Sequence, residues 1–132
     1  MLTCLAMALA GAVTLSEIPV LAAEVEGDAR ALAVQTEITP AFIAGLEDFS
    51  ADAARLSESL RTAGVAQDMP SIFRGIADDA SARAEELATA DTAAERQAAF
   101  DGLKPLLNDA IQLAPMAAGA AADVAVRQMA SR

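Results

Sequence analysis

The chain has 132 residues, 55% of them hydrophobic, which is enough for one folded domain and more than a disordered chain carries. With 19 acidic and 9 basic residues its net charge is −10 and it has no basic cluster, which argues against nucleic acid or an anionic membrane surface as a partner. Histidine is absent and Cys4 is the only cysteine, so Ser-His and Cys-His nucleophiles, imidazole or thiolate zinc sites and disulfides are excluded beyond residue 4.

The first 23 residues have the composition of a secretory signal peptide. Residues 2–15 form an uncharged apolar run, and a short polar segment that ends in small residues follows it. We therefore predict a signal peptide over residues 1–23, cleaved after Ala22 or Ala23, and a periplasmic or secreted mature protein. Cys4 lies at the start of the apolar run and does not follow it, so it does not fit a lipoprotein attachment site. No Lys or Arg precedes the run either, which leaves open a true start upstream of Met1.

A retained, buried N-terminal helix is the alternative to cleavage. Glu17 and Pro19 disfavour it because they interrupt the helical pattern. The mature chain, residues 24–132, is then a single domain. It opens with a predicted short helix capped by Asp28, within a lead-in that ends at Thr39.

The next helix is the most clearly predicted element, because the sequence contains capping signals for both of its ends. Thr39 is a predicted N-cap, Pro40 follows at the first helical position, and Gly64 supplies the left-handed residue past the end. Its apolar residues alternate steps of four and three, which places them on one stripe facing partner helices. The stripe comprises Phe42, Leu46, Phe49, Ala53, Leu56, Leu60 and Ala63.

Two more helices follow after short loops. Asp68 or Ser71 caps the first, which ends near Ala90, and a capping box of Thr92 and Glu95 begins the second. Pro105 and Pro115 fall inside the second helix, where we expect the first to kink it and the second to bend or end it. The alanine-rich tail after Pro115 forms a weaker fourth helix.

These elements predict an all-α fold: a small antiparallel helical bundle of three long helices plus weaker terminal helices. Short loops at 64–68 and 90–92 make successive helices antiparallel neighbours. We place the centre of the core where Phe49 meets Phe100 and alanines lie opposite. Truncating either phenylalanine to alanine should cost about 3 to 5 kcal/mol there.

No catalytic, cofactor or metal residue is assigned from the sequence. Adjacent carboxylates on a helix point about 100° apart, so the acidic pairs are interpreted as solvated helix faces. Three of these acids have an arginine at helical spacing, which predicts the pairs Asp52 with Arg55, Glu58 with Arg61 and Asp79 with Arg83. Three methionines, Met69, Met116 and Met129, could in principle bind copper(I), and the phenylalanines could line an apolar pocket. Core filling is the favoured interpretation of both sets. The acidic pairs are Glu47-Asp48 near Asp52, Asp78-Asp79 and Glu85-Glu86.

One segment resembles a known family. Residues 80–117 combine an alanine-rich helix, the run ERQAAF at 95–100, leucines at 103, 106 and 107, and APMA at 114–117. This resembles the periplasmic helical domain of unknown function found alone or attached to heavy-metal efflux adaptor proteins, which carries a His-Cys-Pro-Met-Ala motif. Leu113 and Ala114 stand where that family has His and Cys. The resemblance implies a bundle-forming periplasmic accessory domain without the family's metal ligands.

We therefore expect an exported, non-enzymatic helical bundle that acts as a binding or accessory module of the cell envelope, with a protein partner. It should not be associated with a membrane once the signal is cleaved. The alternative is a carrier of a small apolar ligand or a soft metal ion. A carrier would gain thermal stability from its ligand, whereas a binding module would need a protein partner. The sequence leaves the partner and the oligomeric state open.

Overall fold

The computed structural model describes residues 2–66 and 68–131, with side chains from Leu15 onward. Met1 and the side chain of Cys4, which bear on the start and lipid-attachment predictions, lie outside that part. Four helices run α1 Leu2–Ala33, α2 Pro40–Thr62, α3 Asp68–Thr89 and α4 Ala93–Ala130. Helix α1 packs on α2 and α4, and α3 packs on the same two helices from the opposite corner. The predicted all-α antiparallel bundle is confirmed.

The ends of α2 are those that the sequence predicts. The Thr39 hydroxyl accepts a hydrogen bond from the Phe42 amide at 3.0 Å, and Pro40 is the first helical residue. Gly64 has φ of +80°, which an L side chain rarely adopts. Past it, the Val65 amide donates to the Leu60 carbonyl at 3.1 Å, and both side chains are buried. The Gly64 amide also donates to the Arg61 carbonyl at 3.1 Å, and this pair of hydrogen bonds is the usual glycine-dependent helix stop.

The predicted stripe of α2 is the centre of the core. Every one of its seven residues is buried, none more than 7% exposed. The aromatic layer differs from the expected one, because Phe100 pairs with Phe42 at a centroid distance of 5.6 Å, one heptad nearer the start of α2 than Phe49. Phe49 is fully buried without that partner. A shift of one heptad between α2 and α4 keeps the same helix faces inward, so the sequence pattern alone does not determine their axial register.

Two serines of α2 join it to α3. The Ser50 hydroxyl donates to the Ala77 carbonyl and the Ser57 hydroxyl to the Pro70 carbonyl, each at 2.7 Å. Ser57 is the one polar residue buried within the core of the described part. Since the donors and the acceptors are each one heptad apart, the two bonds fix the axial register between the helices.

Helix α4 is one continuous helix of 38 residues instead of a third helix and a weak fourth. It begins as predicted, with the Thr92 hydroxyl accepting from the Glu95 amide at 3.1 Å, although the Glu95 carboxylate accepts from Asp91 instead of Thr92. The helix continues through Pro105 and Pro115. Buried residues on both sides of each proline keep one face packed, which offsets the cost of the lost hydrogen bonds.

Helix α1 differs most from expectation. It is a continuous helix of 32 residues, so Asp28 lies inside it and is not a cap. Ile18, Leu21 and Ala22 are buried at 0%, 4% and 3% exposure, and they form part of the same core as α2. The apolar face before and after Pro19 packs on its neighbours, and this packing outweighs the break that the proline predicts. Over the residues that the structure describes, none of the helices combines the length and apolarity that a membrane crossing requires.

Candidate functional site: a carboxylate cluster between α1 and α2

Four carboxylates from two helices meet on one side of the bundle. Glu24 and Asp28 are one turn apart in α1, and Asp48 and Asp52 are one turn apart in α2. A spacing of four places each pair on one helix face, and the packing of α1 on α2 brings the two pairs together. Asp28 is the most enclosed of them, and the charges of the other three act on it.

The Asp28 carboxyl has an unusual environment for an acid. Its Oδ2 atom is buried and accepts no hydrogen bond within the described residues. Burial raises the pKa of Asp28 from 3.8 to about 7, helped by the Asp52 carboxyl beside it and by the charges of Glu24 and Asp48. Desolvation and like charge both disfavour the ionised form, so Asp28 carries a proton through the mildly acidic range.

An arginine compensates one member of this cluster, Asp52. Asp52 pairs with Arg55 at 3.6 Å, as predicted. The guanidinium side chain of Arg55 is 66% exposed, so it points toward solvent and not into the contact between the helices. Among the described residues no group of three or more His, Cys, Asp or Glu has the arrangement of a metal site.

The ion pairs predicted for the arginines of α2 and α3 are confirmed in part. Glu58 and Arg61 pair as expected. Arg83, predicted to pair with Asp79, instead pairs with Glu86 at 2.8 Å. Its guanidinium lies flat against Gly102 of α4, where a β-carbon would come within 3.3 Å. These pairs are exposed, so each contributes little to stability.

The methionines do not converge. Met69 is half-buried, whereas Met116 and Met129 are 57% and 74% exposed. Thirteen residues of one helix separate the last two, a rise of about 20 Å, which is too far for one ion to bind both. This geometry opposes a three-methionine copper site.

The phenylalanines fill the core instead of lining a pocket. Phe42, Phe49 and Phe73 are each at most 1% exposed, within the single cluster of buried residues. Phe100 is half-buried and lies under the Lys104 ammonium, 5.9 Å from the ring centroid. Ala114, at the position compared with the family's cysteine, is fully buried.

Sequence reasoning missed the carboxylate cluster because it compared acids only within one helix. The available signal was the matching spacing of four, Glu24 with Asp28 and Asp48 with Asp52, on helices that the loop between them makes antiparallel. Comparison of this chain with protein-family models, curated proteins and solved structures gives no match.

Proposed function

We propose that the chain is an exported, non-catalytic helical binding module of the cell envelope. Residues 1–23 act as the signal peptide, removed after Ala22 or Ala23, and residues 24–132 form the binding domain. The uncharged run at 2–15 and the small residues before the cleavage position support export. Of the 19 acidic residues only Glu17 precedes residue 24, so the mature domain keeps the acidic surface.

The contact between α1 and α4 is the observation that carries this proposal. A shallow groove there is lined by Pro19, Ala22 and Ala23 of α1 and by Ala114 and Ala118 of α4, among others. Since the two helices are antiparallel, residues of α4 beyond Ala118 lie level with the part of α1 before Pro19. The removed segment therefore runs alongside the last part of α4.

Within the residues that the structure describes, helix α3 does not extend to that part of α4. The Arg83 guanidinium lies against Gly102, and antiparallel counting from this contact places the start of α3 at Asp68 level with about residue 117 of α4. Ala121 and Val124 lie beyond that level, yet they are only 2% and 7% exposed. We infer that α1, which packs along α4, contributes to their burial.

Cleavage would leave the rest of α1 in place and uncover this face. Residues 24–33 keep a buried stripe of Val25, Ala29 and Leu32, which still packs against the bundle. The uncovered face contains Ala121 and Val124. We propose that it accepts an apolar helix of a partner protein, which replaces the segment of α1 that is seated there before cleavage.

The test compares two neighbouring substitutions in the protein produced in its own host. Ala121→Glu puts a charge on the proposed face, whereas Ala122→Glu puts the same charge on an exposed neighbour. Chemical cross-linking of the envelope fraction should give a complex of one defined mass with the wild type and with Ala122→Glu. Ala121→Glu should lose it while circular dichroism still shows a folded bundle.

Two results would overturn the proposal. The first is recovery of the chain in the cytoplasm with residues 1–23 still attached. The second is a complex that survives Ala121→Glu as well as it survives Ala122→Glu, because the partner would then bind elsewhere.

A further inference from the structure

The half-buried carboxyl of Asp28 faces acceptors and not donors. Its Oδ2 atom is enclosed without a hydrogen bond, and the Asp52 carboxyl of α2 interacts with it across the contact. Two carboxylates each offer only acceptor oxygens, so they repel when both are ionised. When one of them holds a proton, the same geometry becomes a hydrogen bond between α1 and α2.

Among the described residues, no cationic side chain acts on Asp28. The charged groups that act on it are Glu24 on its own helix and Asp48 and Asp52 on α2. Helix α4, which packs on the other side of α1, adds no charged group to this set in the described part of the chain. Arg55 pairs with Asp52, so it reduces the repulsion without removing it.

We propose that the α1–α2 contact at Asp28 is a proton-sensitive junction, closed when Asp28 and Asp52 share a proton and loosened when both are ionised. This junction goes beyond the binding role, and it does not depend on export, because residues 24–33 and all of α2 lie after the proposed cleavage position.

Loosening this junction has a defined structural consequence. The residues that flank Asp28 on the inner face of α1 are Val25, Ala29 and Leu32, all buried. Leu32 lies against Gly45 of α2, with its Cδ2 atom 3.4 Å from where a β-carbon of that glycine would stand. Separation of this half of α1 exposes those apolar side chains together with the α2 stripe beneath them. The pH of the surroundings thereby controls how much apolar surface the module presents.

Hydrogen exchange measured by NMR at pH 5.5 and pH 8 tests the junction in the full chain. Protection factors, which correct for the intrinsic pH dependence of exchange, should fall about tenfold or more for amides 27–33 in the wild type. The fall at α3 amides should be much smaller. In Asp28→Asn, which keeps the shape and supplies a donor, protection at 27–33 should stay level across this range.

Two further variants separate the junction from general effects of charge. Asp109→Asn removes an exposed carboxylate of α4 and should behave as the wild type does. Asp52→Asn supplies a permanent donor to Asp28 from the other side, and it should also flatten the pH dependence. If Asp28→Asn does not fold, Asp52→Asn provides the same test.

Three results would overturn the inference. They are equal pH dependence in Asp28→Asn and the wild type, no fall at amides 27–33 in the wild type, and an equal fall in all four helices. The last pattern is that of global unfolding and not of a local junction.

Discussion

Leu21 and Val20 are neighbours on α1 that should respond very differently to truncation. Leu21 is 4% exposed within the core, whereas Val20 is 60% exposed. Removing a buried leucine side chain to its β-carbon costs about 2 to 5 kcal/mol, depending on how far the surroundings collapse into the cavity. The adjacent groove between α1 and α4 is lined by alanines such as Ala22, Ala114 and Ala118, whose short side chains cannot refill the space. We therefore expect Leu21→Ala to cost about 3 kcal/mol.

The measurement is urea unfolding of the full chain by circular dichroism, on protein made without export so that residues 1–23 remain. Leu21→Ala should lower the free energy of unfolding by about 3 kcal/mol at unchanged m, and Tm by about 10 °C. Val20→Ala should stay within about 0.5 kcal/mol of the wild type. If Leu21→Ala costs no more than Val20→Ala, this part of α1 is not packed in the core. The argument that its removal uncovers α4 would then fail.

Three other predictions concern the rest of the bundle. Ser57→Ala should cost about 1 kcal/mol in urea unfolding, because it removes the buried bond to the Pro70 carbonyl; an unchanged midpoint would contradict that bond. Gly75→Ala, in open space on α3, should stabilise the chain by about 0.5 to 1 kcal/mol, whereas Gly64→Ala should destabilise it by about 1 to 2 kcal/mol because φ there is +80°. Because the pKa of Asp28 is raised from 3.8 to about 7, the folded chain holds more protons than the unfolded chain between those values, so stability should fall as pH rises through this window. The pKa shift corresponds to roughly 4 kcal/mol of free energy, and solvent access reduces this to about 1 to 2 kcal/mol. The loss should appear as a difference between the pH dependence of stability of the wild type and that of Asp28→Asn. Parallel curves for the two proteins would refute this prediction.

Features decided by neighbouring residues were predictable from the sequence. The Thr39 cap, the Gly64 stop and the Thr92 cap each depend on a few consecutive residues, and the structure contains all three. The inward stripe of α2 was equally predictable, because apolar residues that recur with a period near 3.6 determine which helix face is buried.

Features decided by packing between helices were not predictable from the sequence. The break expected at Pro19 is absent because α1 packs on its neighbours on both sides of the proline, and local propensity carries no information about that burial. The pairing of Phe100 with Phe42 instead of Phe49 is a choice between registers that bury the same face. The raised pKa of Asp28 likewise arises from burial between two helices and from carboxyls about twenty residues away in the chain.

The most direct test of an exported binding module is the intact mass of the protein recovered from the envelope fraction of its own host, measured under native conditions. The account predicts a chain that begins at Ala23 or Glu24, carries no metal or small-molecule adduct, and occurs in a defined complex with a partner protein. A bound metal ion or small molecule would instead support a carrier. A chain that retains residues 1–23 would contradict export, and the whole of α1 would then be a permanent part of the bundle.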